Sequence, residues 1–433
     1  MNFLMLVGWF LLLLGTALGF SEAWSYCVVY AGRSASGRKN LLRLKHQLSL
    51  IRADYAHQAK SECVPDLSQV ARTFIVTKKI KESADISSLY FKPVDGKPLT
   101  SYLPGQYVVI EADIPGHEQS ISRPYSLSDF PIPLDAYKIT VKKEMPPKGE
   151  PSVPAGIMST FLVDTLQEGD QLRVNVPTGN FCLDPQGENP IVMLASGVGI
   201  TPFLSMLNAS IHLQNHREMW LFYGTYDQQS QIMAPYFSDI QRQHPNVHIH
   251  ICYSNREDRF KQELLQNNSS DGVTYHLDRV NIRLVKKYLQ STHYECFICG
   301  SETMMTQMRE NLENWGVPTA QIHTEKFHFN IDAAWNTKAP VAIPHDAVVN
   351  FSRSEKQANW HNSESTISIL SLAEFSDVHI SCSCRSGECG ACRTRIKSGK
   401  VQHMIDCADL LKGDEFCLPC VAIPASKELV LDI

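Results

Sequence analysis

The sequence predicts a multidomain chain: an N-terminal membrane helix, an antiparallel β-barrel, an α/β domain on a parallel sheet, and a small α+β domain at the C terminus. Residues 1–21 contain no charged side chain. From about Val70, short strands separated by Pro and Gly turns give way to longer apolar runs alternating with helical stretches. The first pattern suits an antiparallel barrel, the second a parallel sheet with crossover helices. Seven of the 13 cysteines follow position 381, as in a cofactor-carrying domain rather than a disulfide scaffold spread along the chain.

The 433 residues suffice for two or three domains with cores of their own. A formal net charge of −5 argues against a nucleic-acid partner. Residues 3–20 are almost wholly apolar and Glu22 is the only charge before Arg33, so a helix at 1–30 fits the ~30 Å hydrocarbon core. Arg33, Arg38, Lys39, Arg43, Lys45 and Arg52 then crowd one side. By the positive-inside tendency this predicts a single-pass inner-membrane protein with its C-terminal domains in the cytoplasm. A cleaved signal peptide, with Ser21 and Ala23 as its small residues, is the rival, but no basic segment precedes the apolar run. Residues 31–66 read as a basic juxtamembrane tether attracted to anionic headgroups.

The barrel is placed at 67–185, with strands at 73–79, 107–112, 137–142 and 171–176. It contains Arg123-Pro124-Tyr125-Ser126-Leu127, followed by Pro154-Ala155-Gly156-Ile157-Met158-Ser159. An arginine offers a forked donor pair to a phosphate, and a glycine-led helix start offers backbone N–H groups.

The α/β domain is placed at 186–330. The apolar run 190–195 reads as a strand buried on both faces and leads into Ser196-Gly197-Val198-Gly199-Ile200-Thr201-Pro202. Gly197 and Gly199 let the backbone approach a pyrophosphate, Thr201 is expected to cap the following helix, and Pro202 suits its first turn. Further strands are expected at 219–223, 247–253 and 295–298. The last runs into Cys299-Gly300-Ser301, with Ser301 expected as the next helix cap, at the edge of the sheet where ligands bind. Asp227 is placed to bond the ribose hydroxyls of NADH, whereas the nearby Ser254-Asn255-Arg256 resembles, with Asn255 interrupting it, the Ser-Arg pair that grips the extra phosphate in NADPH-dependent enzymes. The reading leans slightly to NADH.

Residues 331–344 carry two prolines and read as a linker. The last domain, 345–433, opens with a strand at 348–352 and a helix within 366–373. It then carries Cys384, Cys389 and Cys392, with Cys420 far downstream. C-x4-C-x2-C…C is the spacing of a plant-type [2Fe–2S] cluster. Zinc more often shows paired Cys-x2-Cys units, and disulfides are disfavoured in a reducing compartment. Gly387 and Gly390 permit the tight curl of the ligand loop. Cys417 is the rival fourth ligand, while Cys382 and Cys407 read as small buried hydrophobes.

Residues 67–433 resemble the ferredoxin–NADP reductase superfamily, in the order flavin barrel, NAD(P)H domain, plant-type ferredoxin of the β-grasp class. The resemblance implies FAD, with FMN as the alternative, together with NADH or NADPH. It implies that Arg123 and Tyr125 hold the flavin, that Ser126 bonds the flavin N5 edge, and that Gly156, Met158 and Ser159 face its phosphates. Cys299 and Gly300 would face the nicotinamide and guide hydride transfer, and Glu325 and Phe327 would lie near the flavin. The residues after Cys420 resemble the final strand of plant-type ferredoxins, which favours Cys420 over Cys417. The domain order is similar to that of reductases serving oxygenases, including the phenylacetyl-CoA epoxidase type, and of hybrid-cluster protein reductase. The expected acceptor is therefore an oxygenase, a desaturase or another metalloenzyme, with hybrid-cluster protein as the alternative. A redox-sensing iron–sulfur protein is a third reading, although a sensor has no need of two hydride-handling domains.

Overall fold

The computed structural model describes residues 71–117, 120–146, 155–213, 216–255, 272–327, 344–361, 367–382, 384–387, 389–405, 407–411 and 413–433. All of them belong to one compact unit, Gln58–Ile433. The expected membrane helix, the basic tether and the linker lie outside the described residues, except for Pro344. Among the described residues no helix is long and apolar enough to cross a membrane.

The barrel is a six-stranded antiparallel sheet in the order β4-β3-β6-β1-β2-β5. Its strands are β1 Arg72–Lys81, β2 Ile86–Pro93, β3 Tyr107–Ala112, β4 Ile121–Ser126, β5 Tyr137–Lys142 and β6 Gln171–Val174. A bridge between Leu127 and Ile139 joins the two edges and closes it. Phe74, Phe91 and Tyr137 pack at ring separations of 5.6 to 6.1 Å in its core. The last expected strand stops at Val174 rather than 176, and β2 was not expected at all. In β2, Ser87 and Ser88 are buried, Ser88 being held by Glu82 and Thr140, so its burial leaves no alternating polarity to read.

The α/β domain is a six-stranded parallel sheet in the order β10-β9-β8-β7-β11-β12. Its strands are β7 Ile191–Ser196, β8 Met219–Thr225, β9 Val247–Tyr253, β10 Thr274–His276, β11 Glu295–Cys299 and β12 Ile322–Glu325. The chain winds outward from β7 to β10 and then returns to β11 on the other side of β7. This makes the β7/β11 boundary the topological switch point, where ligands of open α/β sheets bind. Helix α1, Thr201–His212, follows β7 and docks the domain on the barrel. Ser205 Oγ accepts from Gly105 N at 2.9 Å, Asn208 Nδ2 donates to Asp129 at 2.8 Å, and His212 Nδ1 lies 2.7 Å from the Phe130 carbonyl.

The C-terminal domain is a mixed five-stranded sheet in the order β14-β13-β19-β15-β17. Its strands are β13 Asp346–Phe351, β14 Lys356–His361, β15 Thr394–Ser398, β17 Phe416–Cys417 and β19 Glu428–Leu431, and β16 Val401–His403 pairs separately with β18 Ala422–Pro424. Helix α2, Ile369–Phe375, is capped by the Ser368 hydroxyl on Ser371 N at 3.0 Å. It buries Ile369, Leu370, Leu372 and Ala373 against a core centred on Trp360. The first strand and the helix are shifted by about two residues from the expected positions, as is usual for element ends.

Candidate functional site

All three domains line one cavity of about 320 Å³. The barrel contributes Arg123, Tyr125 and Ser126 from β4, with Gly156, Met158 and Ser159 opposite. The α/β domain adds Val198, Thr201, Glu325, Lys326 and Phe327, and the C-terminal domain adds Cys384, Arg385 and Cys420. The expected flavin residues and two of the expected cluster cysteines therefore share a wall.

Local chemistry differs from expectation at several of these positions. The Ser126 hydroxyl, in the cavity wall, donates to Glu325 Oε2 at 3.3 Å. Ser159 Oγ donates to Gly156 O at 3.0 Å and accepts from Glu144 N at 3.1 Å, tying two loops together. The helix begun at Gly156 is a single turn, Ile157–Thr160, widening into a π-type turn. So short a helix sums little dipole, and the positive charge for an anion comes instead from Arg123. Tyr125 keeps its proton, because burial pushes its phenol above the ordinary range, and it remains a hydrogen-bond donor. Arg123 Nη1 donates to the Ser122 carbonyl at 2.8 Å and lies 3.5 Å from Glu374 Oε1 of the C-terminal domain. A concave wall with an arginine, a protonated tyrosine and apolar Met158 fits a flavin and its phosphate.

At the switch point the two glycine turns meet. Cys299 is in register with Ala195 on one side and Glu325 on the other. Ser196 Oγ accepts from Ser301 N at 3.0 Å, and an added Cβ on Gly199 or Gly300 would fall 2.3 Å from Cys299 O or 2.2 Å from Ser196 Oγ. Gly197, at φ +55°, has open space on its Cβ side, which fits a pyrophosphate laid over the turn. Neither hydroxyl expected as a helix cap performs that role. Thr201 is already helical, with Ile200 at the cap position, and its Oγ1 donates to Val198 O at 3.0 Å. A tight turn over Gly197–Ile200 delays the helix start and displaces the cap. Ser301 holds the cap position without a side-chain bond. Pro202 occupies the first turn as expected.

Cys299 is fully buried, and burial, reinforced by the nearby Glu325 carboxylate, pushes its thiol well above the usual value. The thiol stays neutral and does not line the cavity; Glu325, its neighbour on β12, does. Asp227 lies past the carboxyl end of β8, where Oδ1 accepts from Ser230 N at 2.9 Å. The β9 turn runs alongside, Ser254 N and Asn255 N donating to the carbonyls of Thr225 and Tyr226. The NADH-type and NADPH-type signals are thus neighbours, though Arg256 lies outside the described residues.

In the cluster loop, Gly387 and Gly390 adopt φ +77° and +67°, conformations that favour glycine. Cys392 Sγ lies 3.3 Å from Cys420 Sγ, and Cys389 Sγ accepts from Cys384 N at 3.5 Å. Ser386 N and Ala391 N point at the Cys384 and Cys389 sulfurs at 3.4 and 3.5 Å. Among the described residues no three such donors close on a single metal centre; Cys392 and Cys420 meet through their sulfurs, and Cys384 and Cys389 are joined through the Cys384 N–H. Contact with the Cys392 sulfur and burial together push the Cys420 thiol up, a cost that bound iron removes by deprotonating the ligands. Cys417 sits in β17 opposite Thr394, in the core, with its thiol pushed up by burial. Cys407 is buried as expected, whereas Cys382 is only part-buried and lies 3.9 Å from Ser122 Oγ of the barrel.

Residues that sequence reasoning passed over complete the wall: Tyr107, Lys326, Ser368, Ser371 and above all Arg385. Arg385 sits directly after Cys384 in the ligand loop, and that position was its only signal.

Comparison with known proteins agrees with this geometry. Residues 73–182 match the oxidoreductase FAD-binding domain, 193–310 the oxidoreductase NAD-binding domain, and 354–425 the 2Fe-2S iron-sulfur cluster binding domain. The flavohemoprotein of Halalkalibacterium halodurans is 36% identical over 258 residues, 59% of this chain and 59% of that protein. Flavohemoprotein A of Dictyostelium discoideum is 32% identical over 259 residues, 59% and 60% respectively. The chain thus spans less than two thirds of these relatives. Among solved structures, the FAD/NAD-binding domain of nitric oxide dioxygenase from Vibrio cholerae is 26% identical at a TM-score of 0.50, covering 59% of this chain and 98% of that one. Phthalate dioxygenase reductase shares the fold over 85% of this chain and 99% of its own, at 23% identity and a TM-score of 0.56. The chain is an NAD(P)H oxidoreductase built of an FAD-binding, an NAD-binding and a 2Fe-2S iron-sulfur cluster binding domain.

Proposed function

We propose that the chain is a membrane-anchored reductase that takes electrons from NAD(P)H and delivers them to an oxygenase, a desaturase or another metalloenzyme. The observation that carries it is the single cavity holding Tyr125, Ser126, Glu325, Cys384 and Cys420, which lets electrons cross from flavin to cluster without a domain movement. When bound, the flavin accepts the two electrons of a hydride and the cluster passes them on singly. The chain's own residues do the rest. Arg123 and Tyr125 hold the flavin, Gly197 and Gly199 admit the nucleotide pyrophosphate, and Cys384, Cys389, Cys392 and Cys420 ligate the irons. Glu325 and Ser126, already joined, fix the edge at which the hydride arrives. The described part of the fold, shared with a reductase that moves electrons from pyridine nucleotides to [2Fe-2S], supports an oxygenase as acceptor. The apolar run 3–20 and the basic residues after it support the anchor and a cytoplasmic C terminus.

The test is acceptor reduction by the full chain in native membranes, with NADH and NADPH compared; capture of a metalloenzyme reduced faster than cytochrome c is the expected result. Leu12→Arg with Leu13→Arg is expected to move the protein from the carbonate-washed membrane pellet to the supernatant, since each charge costs about 3 kcal/mol at mid-bilayer. NAD(P)H–ferricyanide turnover should persist. Unchanged partition of this variant removes the anchor from the proposal.

Cys299 acts here as a positioning residue, setting the spacing between β11 and the Glu325 end of β12. Cys299→Ala is expected to slow flavin reduction in stopped flow about tenfold to a hundredfold, with nucleotide affinity changed much less. Weakened affinity with an unimpaired rate would assign it to binding instead.

A further inference from the structure

Glu374, on α2 of the C-terminal domain, is shared by guanidinium groups from two domains. Arg123 Nη1 of the barrel lies 3.5 Å from its Oε1. Arg385 Nη1 donates to its Oε2 at 3.2 Å, and Arg385 Nη2 bonds Oε1. Both arginines line the flavin cavity, together with Ser368 and Ser371 from the start of α2. One carboxylate against two guanidinium groups leaves a positive charge in excess on this wall. Arg385 Nε is buried with no acceptor among the described residues. Its backbone is held at φ +57°, a conformation that a bulky residue adopts only when its surroundings impose it. The cluster loop thus sets Arg385 in the cavity wall, with the Cys382 thiol and Glu374 as its neighbours.

We propose that the C-terminal domain supplies the second half of the flavin's anion site: Arg385 and Arg123 grip the phosphate or pyrophosphate together across the domain boundary, and Glu374 is the carboxylate they share when no phosphate is there. This rests on reading the cavity as the flavin site. Bidentate guanidinium groups suit a phosphate, and a phosphate between them answers the charge that Glu374 only half neutralises. Flavin binding then fastens the cluster-bearing domain to the barrel, and flavin affinity depends on a residue next to a cluster ligand.

The test titrates the deflavinated full-length protein, cluster intact by absorbance, with FAD, FMN and riboflavin, following flavin fluorescence. Riboflavin lacks the phosphate and reports the ring site alone. Arg385→Ala is expected to weaken FAD and FMN at least about tenfold, the worth of a charge-assisted bond, with riboflavin unchanged. Arg385→Lys should recover part of the loss. Glu374→Gln, which replaces no residue of the cluster loop, should tighten FAD and FMN several-fold and not riboflavin. Equal weakening of FAD and riboflavin by Arg385→Ala, or no weakening of either, overturns the proposal, as does unchanged or weaker FAD binding in Glu374→Gln. If Arg123→Ala also leaves FAD binding unchanged, it is the flavin reading of the cavity that fails.

Discussion

Cys420→Ser is expected to abolish the two-iron cluster while NAD(P)H continues to bleach the flavin. The Cys420 sulfur is 3.3 Å from that of Cys392, and the Cys384 and Cys389 sulfurs carry the backbone N–H donors at 3.4 to 3.5 Å. A serine hydroxyl binds iron poorly beside soft sulfide and thiolate, and loss of one ligand exposes half the cluster. Cys384→Ser, Cys389→Ser and Cys392→Ser should behave in the same way. Flavin reduction should survive, because the barrel and the parallel sheet have their own cores. Cys417→Ser is the control. Its side chain is buried in β17 and contacts the core, so the cost is that of a buried hydroxyl, roughly 1–3 kcal/mol, with the cluster kept. The measurements are the electron paramagnetic signal after dithionite and stopped-flow flavin absorbance. An undiminished two-iron signal in Cys420→Ser, or its loss in Cys417→Ser, would exchange the two assignments.

What could be read from the sequence was whatever is confined to a short run. The cysteine spacing and the apolar runs of β7, β8, β9 and β11 carry their constraint locally: a ligand loop must curl, and a strand buried on both faces must be apolar. β10 and β12 lie at the edges of the parallel sheet, and their Thr274-Tyr275-His276 and Ile322-His323-Thr324-Glu325 show no such run, so neither was foreseen. The expected caps Thr201 and Ser301 failed for a related reason. Sequence shows a hydroxyl before a helix but not the extra turn over Gly197–Ile200 that moves the start. The pairing of Arg123 with Glu374, 251 positions away, exists only because the C-terminal domain packs against β3 through Tyr107, Val109 and Cys384. No local pattern encodes that.

Gly199→Ala is expected to cost roughly 3 kcal/mol or more, the upper end of overpacking, and to lower NAD(P)H-driven flavin reduction at least about a hundredfold. The new Cβ would lie 2.3 Å from the Cys299 carbonyl oxygen and 2.5 Å from its carbon. Both are backbone atoms, so no rotamer change can relieve the contact. Because β7 and β11 are paired from Ile191 and Glu295 through Ala195 and Cys299, separating the two turns strains the ladder at the centre of the sheet. The switch point that must hold the pyrophosphate and the nicotinamide opens with it. Gly197→Ala tests the same turn without the collision. Its φ of +55° penalises a side chain, but nothing lies within 4 Å, so about 1–2 kcal/mol is expected. The C-terminal domain has a core of its own, and its dithionite-reduced cluster signal should be unchanged in both variants. Thermal unfolding and nucleotide titration separate the outcomes. If Gly199→Ala melted within about 2 °C of the parent and turned over normally, the two glycine turns could not be packed against each other as described, and Gly300→Ala, directed at Ser196 from the opposite side, would then be expected to be harmless too.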